Sequence, residues 1–251
     1  MPAEGPSRRD ESAYWAATLL QHALCAPDQF MRAPETDLVE YVETYSWSPR
    51  DQVTPGSRAP LAALTMAIVR SRHTPDTDAP AEASIVINVP SAGNHRDPDR
   101  TAVIGGVTTF PVNLVLEGVD VDAAFRGNRY AVHSVIEEID RQLDQVPNAG
   151  VGYQVLRNTD PVTGPILRAL PEPPVSFTFH REQAPGESEW SVAARSAGTG
   201  APVPVIGLTV TMHARAAEMT ARWRFDRNVI SEPDIAVLRT AWRLALSRIV
   251  F

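Results

Sequence analysis

The chain has 251 residues, 43% of them hydrophobic and 21% charged, and a net charge of -7 at neutral pH. That length and mix suit a soluble globular domain with a real core and exclude a disordered segment. The negative balance argues against nucleic acid, which needs a basic stripe, and the scattered arginines form no Lys/Arg run for a membrane surface. No apolar stretch approaches the length of a membrane span. The one cysteine, Cys25, excludes an internal disulfide framework and fits a reducing, cytoplasmic setting. The polar start, Met1 to Glu11, has no secretory pattern.

Residues 1–11 read as a flexible leader and 12–251 as the folded part. From Ser12, a candidate N-cap, the residues Tyr14, Trp15, Leu19, Leu20 and Leu24 predict a short amphipathic helix. The stretch 32–56 mixes acids and aromatics and yields no assignment. Arg58 to Arg72 predicts a helix with Leu61, Leu64, Ile68 and Val69 on one face and Pro60 in its first turn. Residues 74–82 have a loop composition. Ala83 to Val89 predicts a strand closed by Pro90, and 90–100 a polar loop. A second strand is expected over Val107 to Glu117, after the Gly105-Gly106 pair.

The clearest helix runs from about Tyr130 to Val146. Val132, Val135, Ile136, Ile139, Leu143 and Val146 form one apolar stripe, and Pro147 and Gly150 stop it. Val175, Phe177 and Phe179 alternate with polar neighbours, as in a half-buried strand. The same alternation over Ile206 to His213 and Met219 to Asp226, across a short turn near Arg215 to Glu218, predicts a hairpin. A last helix opens at Ser231-Glu232-Pro233-Asp234, a start of capping-box type, with Ile235, Leu238, Trp242, Leu246 and Ile249 on its packed face. Strands alternating with helices, followed by an antiparallel hairpin, predict an α/β fold: a mixed β-sheet covered by helices.

No segment declares a catalytic or metal site by itself. Gly105-Gly106 lacks the continuation of a phosphate loop, and Gly150-x-Gly152 reads better as a turn between helices than as a dinucleotide fingerprint. His95, Asp97 and Asp99 suit a polar surface loop. His180 and His213 fall on polar strand faces without a carboxylate or Cys at ligand spacing. Cys25 has only His22 nearby, and a structural cysteine is the simpler reading.

Segments in the second half carry a resemblance. Val103-Ile104-Gly105-Gly106-Val107-Thr108-Thr109-Phe110-Pro111-Val112 resembles the Gly-x-Phe-Thr-x-x-x-Pro-Val strand of nonribosomal peptide synthetase epimerization domains. Val146-Pro147-Asn148-Ala149-Gly150-Val151-Gly152-Tyr153-Gln154-Val155-Leu156-Arg157 is similar to their Val-Pro-x-x-Gly-x-Gly-Tyr-Gly-x-Leu-Arg segment. Pro174 to Phe179 resembles the Pro-x-Val-Ser-Phe-Asn-Tyr strand, and Met219 to Leu246 the closing strand and helix. The resemblance is to the C-terminal lobe of the condensation/epimerization domain family.

That resemblance implies a single acetyltransferase-like lobe over 12–251, one of the two that form a V with the reaction in the tunnel between them. The His-His-x-x-x-Asp-Gly motif belongs to the first lobe, and the six histidines here include no adjacent pair. At the position of the family's second acid/base glutamate this chain has Asn88 or Ala92, depending on alignment, and neither titrates near neutral pH. The resemblance therefore implies no catalytic residue, metal or cofactor of the chain's own. It implies contact with the phosphopantetheine arm of a carrier protein, and tunnel-lining positions at Asn88, Val107, Thr108, Thr109, Phe110 and Pro111. Expected partners are nonribosomal peptide synthetase proteins or carrier proteins, or a chain supplying the first lobe, with no nucleic acid and no membrane. The competing readings are an independent acyltransferase with its site between protomers of a homo-oligomer, and a relic without function.

Overall fold

Strands of alternating polarity cannot keep both sides dry, so they assemble into a sheet with one apolar and one wet face. The computed structural model describes residues 8–25, 37–46, 58–72, 84–90, 109–182, 204–213 and 218–250. Its six strands are β1 (Leu38–Ser46), β2 (Ser84–Pro90), β3 (Thr109–Val115), β4 (Val175–Glu182), β5 (Ile206–His213) and β6 (Glu218–Asp226). They form one mixed sheet in the order β1-β6-β5-β4-β2-β3. The β5–β6 hairpin is antiparallel as expected, β4 runs parallel to both β5 and β2, and β1 and β3 close the edges antiparallel.

The helices are α1 (Arg8–Cys25), α2 (Arg58–Arg72), α3 (Val121–Phe125), α4 (Arg129–Asp144), α5 (Val151–Thr159), α6 (Thr163–Ala169) and α7 (Glu232–Val250). One buried cluster joins Ile85, Ile87, Val89, Phe110, Val112, Leu114, Phe177, Leu208, Val210, Trp223 and Phe225 from the sheet to Trp15, Leu64, Met66, Ile139 and Trp242 from the helices. Trp242 anchors α7: its ring meets Trp223 edge-on at 5.5 Å, and its indole N–H donates to the Pro60 carbonyl at 3.0 Å. Burying such an aromatic pair stabilises by its area and adds about 1 kcal/mol from ring geometry.

The α/β mixed sheet covered by helices thus stands as the sequence predicts. The starts of α4 and α7 follow from their caps. Asn128 Oδ1 accepts from the N–H groups of Tyr130 (3.0 Å) and Ala131 (3.2 Å), and Ser231 Oγ accepts from that of Asp234 (3.3 Å).

Several expectations change. α1 begins at Arg8, ahead of Ser12, so residues 8–11 of the span read as leader are helical, and Glu11 is buried. α2 is buried over Pro60 to Val69 instead of on one face, because it packs against α7, α4 and β2 together. The unassigned stretch 32–56 contains β1. Between α4 and α5 the chain makes a 3₁₀ turn, Pro147–Gly150. Residues 1–7, the loops 74–82 and 91–100, and the hairpin turn at 214–217 lie outside the described residues.

Candidate functional site on the open sheet face

The register decides what each face presents. Asn88 lies opposite Pro111 on β3 and Ser176 on β4; Ser176 lies opposite Gly207 on β5, and Gly207 opposite Arg224 on β6. Directly paired residues share a face. Asn88, Ser176, Gly207 and Arg224 therefore form one row across four strands, on the side away from the buried cluster. The next rows are Thr178, Thr209 and Arg222, and then His180, Thr211, Thr220 and Thr44. These residues are half-buried to exposed, whereas their neighbours along each strand are mostly buried.

Gly207 leaves a notch in the first row. A Cβ there would stand 3.3 Å from Ser176 Oγ and 3.8 Å from Arg224 Cβ, so the two side chains flank a strip of bare backbone. Arg222 is held by Glu40 at 2.7 Å, and His213 Nε2 contacts Thr220 Oγ1 at 3.1 Å. Among the described residues, the side chains of Asn88, Ser176 and Arg224 have no hydrogen-bond or ion-pair partner.

The residues expected from the sequence separate by parity. Asn88, Thr109 and Pro111 share the parity of the open face, Pro111 being itself buried. Phe110 turns the other way and is a core residue: it is 5% exposed and packs against Trp15, ring centroids 5.7 Å apart. Alternation along β3 allows no other outcome once Pro111 pairs with Asn88. Val107 and Thr108 lie outside the described residues, as do His95, Asp97 and Asp99. Ser176, Gly207 and Arg224 escaped the sequence reading. Alternation placed their strands, but only pairing brings them into one row with Asn88.

A second feature lies along the outer edge of β3, an open depression of about 530 Å³ lined by Tyr14, Thr18, Asn113, Glu138, Arg141 and Gln142. Here Gln142 treats β3 as a further strand would: its Oε1 accepts the Val115 N–H (2.8 Å) and its Nε2 donates to the Val115 carbonyl (2.6 Å). Gln154 Nε2 donates to the Thr109 carbonyl at 2.9 Å, and Pro111 has no N–H to offer. The hydrogen bonds of Arg141 and Gln142 hold the Glu138 carboxyl below its usual range. This edge is closed to strand pairing.

The segment from Val146 to Arg157 is structural. Gly150 has φ +81 and supports the Phe110 ring, and Asn148 and Ala149 are both left-handed with φ 49. Asn148 Nδ2 donates to the buried Glu11 at 3.3 Å. Tyr153 packs on Trp15, ring centroids 5.2 Å apart; burial, then the nearby Glu172 charge, pushes its hydroxyl above the usual range. Among the described residues no set of His, Cys, Asp and Glu is placed to hold a metal, and no helix is long and apolar enough to cross a membrane.

A six-stranded mixed sheet with helices on one side and a polar row on the other is the α/β fold of a condensation-domain lobe, and the resemblance read from the sequence holds at the level of fold. The chain is similar to the epimerization domain from the third module of tyrocidine synthetase B, at 19% identity and TM-score 0.55, over 99% of this chain and 60% of that one. It is similar to the X-domain in its complex with OxyB from teicoplanin biosynthesis, at 15% identity and TM-score 0.55, over 95% of this chain and 52% of that one. A condensation domain for chain release from the enacyloxin polyketide synthase matches at 12% identity and TM-score 0.58, over 98% of this chain and 48% of that one. The chain thus spans about half to three-fifths of the length of these structures. No protein-family model and no curated protein matches it.

Proposed function

We propose that this chain is one lobe, the C-terminal one, of a condensation/epimerization-type assembly in nonribosomal peptide biosynthesis, and that a partner supplies the facing lobe. The carrying observation is the sheet, which is packed by helices on one face and on the other presents Asn88, Ser176, Thr178, Thr209 and Arg224 outward. The fold match supports the lobe assignment: it runs over 95–99% of this chain and 48–60% of the domains it resembles.

In this role the chain shapes the reaction space and performs no proton transfer itself. Asn88 stands on β2 with a neutral amide, which donates and accepts hydrogen bonds but does not titrate near pH 7. Asn88, Thr109 and Pro111 line the wall, and the arm of a carrier protein is the group they would touch. Val107 and Thr108 precede Thr109 in sequence. The cytoplasm is the compartment this role requires.

A second reading draws on the X-domain, whose solved complex holds OxyB. Without an adjacent histidine pair anywhere in its sequence, this chain also suits a platform that recruits a tailoring protein. The test is co-expression with the neighbouring synthetase genes, affinity capture and mass spectrometry. Stoichiometric capture of a protein bearing His-His-x-x-x-Asp-Gly supports the two-lobe reading. Capture of only carrier or tailoring proteins supports the platform. A homo-oligomer with acyltransferase activity of its own defeats both.

A further inference from the structure

We propose that the free edge of β1 pairs with the same edge of a second copy of this chain, joining two sheets antiparallel about a two-fold axis at Val42. The contact uses the rim of the sheet and stands independently of the function proposed for its open face.

The two edges of the sheet are built differently. β3 is closed by Gln142, Gln154 and Pro111. β1 is the opposite edge, and its register with β6 runs residue for residue from Leu38 to Ser46, without proline, lysine or bulge. Those are the devices that keep an edge single. Parity decides which groups it offers. The Asp37 carbonyl accepts the Arg227 N–H at 2.8 Å. The odd residues of β1 therefore spend their backbone groups on β6, and Leu38, Glu40, Val42, Thr44 and Ser46 turn theirs away from the sheet. Among the described residues no strand lies beyond them.

Charge and register select the occupant. An antiparallel copy has to pair even residues with even ones. The two-fold register centred on Val42 engages all nine residues and sets no glutamate opposite another. Glu40 then meets the second copy's Thr44, Glu43 its Tyr41, and Val39 its Tyr45. Centring on Glu40 or Glu43 opposes two carboxylates, and any other centre leaves strand ends unpaired. Repulsion between the copies is small, because Arg222 and Arg239 already match Glu40 and Glu43. The Arg239 guanidinium also lies 4.4 Å from the centre of the Tyr41 ring, so the second copy's Glu43, opposite Tyr41, arrives beside a cation. That contact is reciprocal, as a two-fold interface requires. At the axis Val42, 53% exposed, covers its own counterpart. About ten backbone hydrogen bonds form over about 30 Å of strand.

Sedimentation velocity of the whole chain over a range of concentrations tests this, with a monomer–dimer equilibrium expected. Val42→Lys and Val42→Glu each bring like charges together at the axis and should weaken the dimer about a hundredfold. Mixed in equal amounts, the two variants should associate again, within about tenfold of the native chain. Their circular dichroism should stay native, since the side chain is exposed and its backbone groups point away from β6. Val42→Pro removes an outward N–H and should also give a monomer. A native chain that stays monomeric, charged variants that dimerise as the native chain does, or a mixture that remains monomeric overturns the proposal. Partner capture is read separately, so a monomeric result leaves that experiment standing.

Discussion

Gly150 lies directly beneath the ring of Phe110: a Cβ on Gly150 would fall 2.0 Å from Phe110 Cδ1. The strand that carries Asn88's partner Pro111 is thereby locked to the turn before α5, and the position tolerates no side chain. Gly150 also has φ +81, a left-handed conformation that costs other residues about 1 kcal/mol. Gly150→Ala is expected to destabilise by about 2–4 kcal/mol from strain and overpacking together. Gly118→Ala is the control, with φ +78 but nothing within 4 Å, and should cost about 1 kcal/mol. Urea unfolding of both variants checks this, and equal losses would remove the role given to the Phe110 contact.

The edge strand β1 is fastened to α7 by a small polar cluster. Arg239 Nη2 donates to Glu43 Oε1 at 2.5 Å, Tyr45 donates to Glu43 Oε2 at 2.5 Å, and the Arg239 guanidinium lies 4.4 Å from the centre of the Tyr41 ring. Burial pushes the Glu43 carboxyl up, but the hydrogen bonds from Arg239 and Tyr45 and the charges of Arg239 and Arg243 outweigh it, leaving the group below its usual range. A depressed carboxyl stabilises the fold fully above its unfolded value, about 4.3, and the gain disappears as pH falls through the lower folded value. Thermal melts of the native chain and Glu43→Gln should differ at pH 7, by about 1 kcal/mol at most, and converge near pH 3. A gap that persists at pH 3 would assign the effect to packing.

How far the fold was legible depends on how each element is stabilised. α4 and α7 declare themselves because an apolar stripe and a cap coincide in sequence. β1 does not: Val39 and Tyr41 are only half-buried, and Glu40 and Glu43 interrupt them, as suits an edge whose stability comes from Arg222 and Arg239 far along the chain. α6 is short and carries Gly164 and Pro165, two poor helix formers. Its start is set by Asp160, whose Oδ1 accepts from the Val162 and Thr163 N–H groups at 3.0 and 2.7 Å. The candidate site divides the same way. Asn88 was reached through a resemblance to one strand, while Ser176, Gly207 and Arg224 needed the register among strands, which no local pattern encodes.

Gln142 replaces a neighbouring strand for β3, so its loss should be felt twice. Gln142→Leu leaves both backbone groups of Val115 without their protein partners and opens the edge. A loss of about 1–3 kcal/mol is expected, together with concentration-dependent association. Denaturant unfolding and light scattering at several concentrations read the two effects separately. A variant that is destabilised yet associates no more than the native chain would show that Pro111 and Gln154 guard the edge without Gln142.

Thr178 tests whether the open face is used. It stands beside Thr209 on the polar side of β4, half-buried, and Thr178→Arg adds bulk and charge there without entering the core. Substitutions of that kind stay within about 0.5 kcal/mol, so the melting temperature should move by no more than about 2 °C. Glu137→Arg, on the exposed side of α4 where His133 meets Glu137 at 3.0 Å, places the same group on the helical layer and is the control. If the polar face docks a facing lobe or a tailoring protein, Thr178→Arg abolishes capture of that partner and Glu137→Arg leaves it intact. If both variants capture it equally well, the face in contact is another one, and the wall assigned to Asn88, Thr109 and Pro111 loses its support. The sign is fixed by geometry: a wall that meets a partner cannot accept a buried, unpaired guanidinium without losing several kcal/mol of binding.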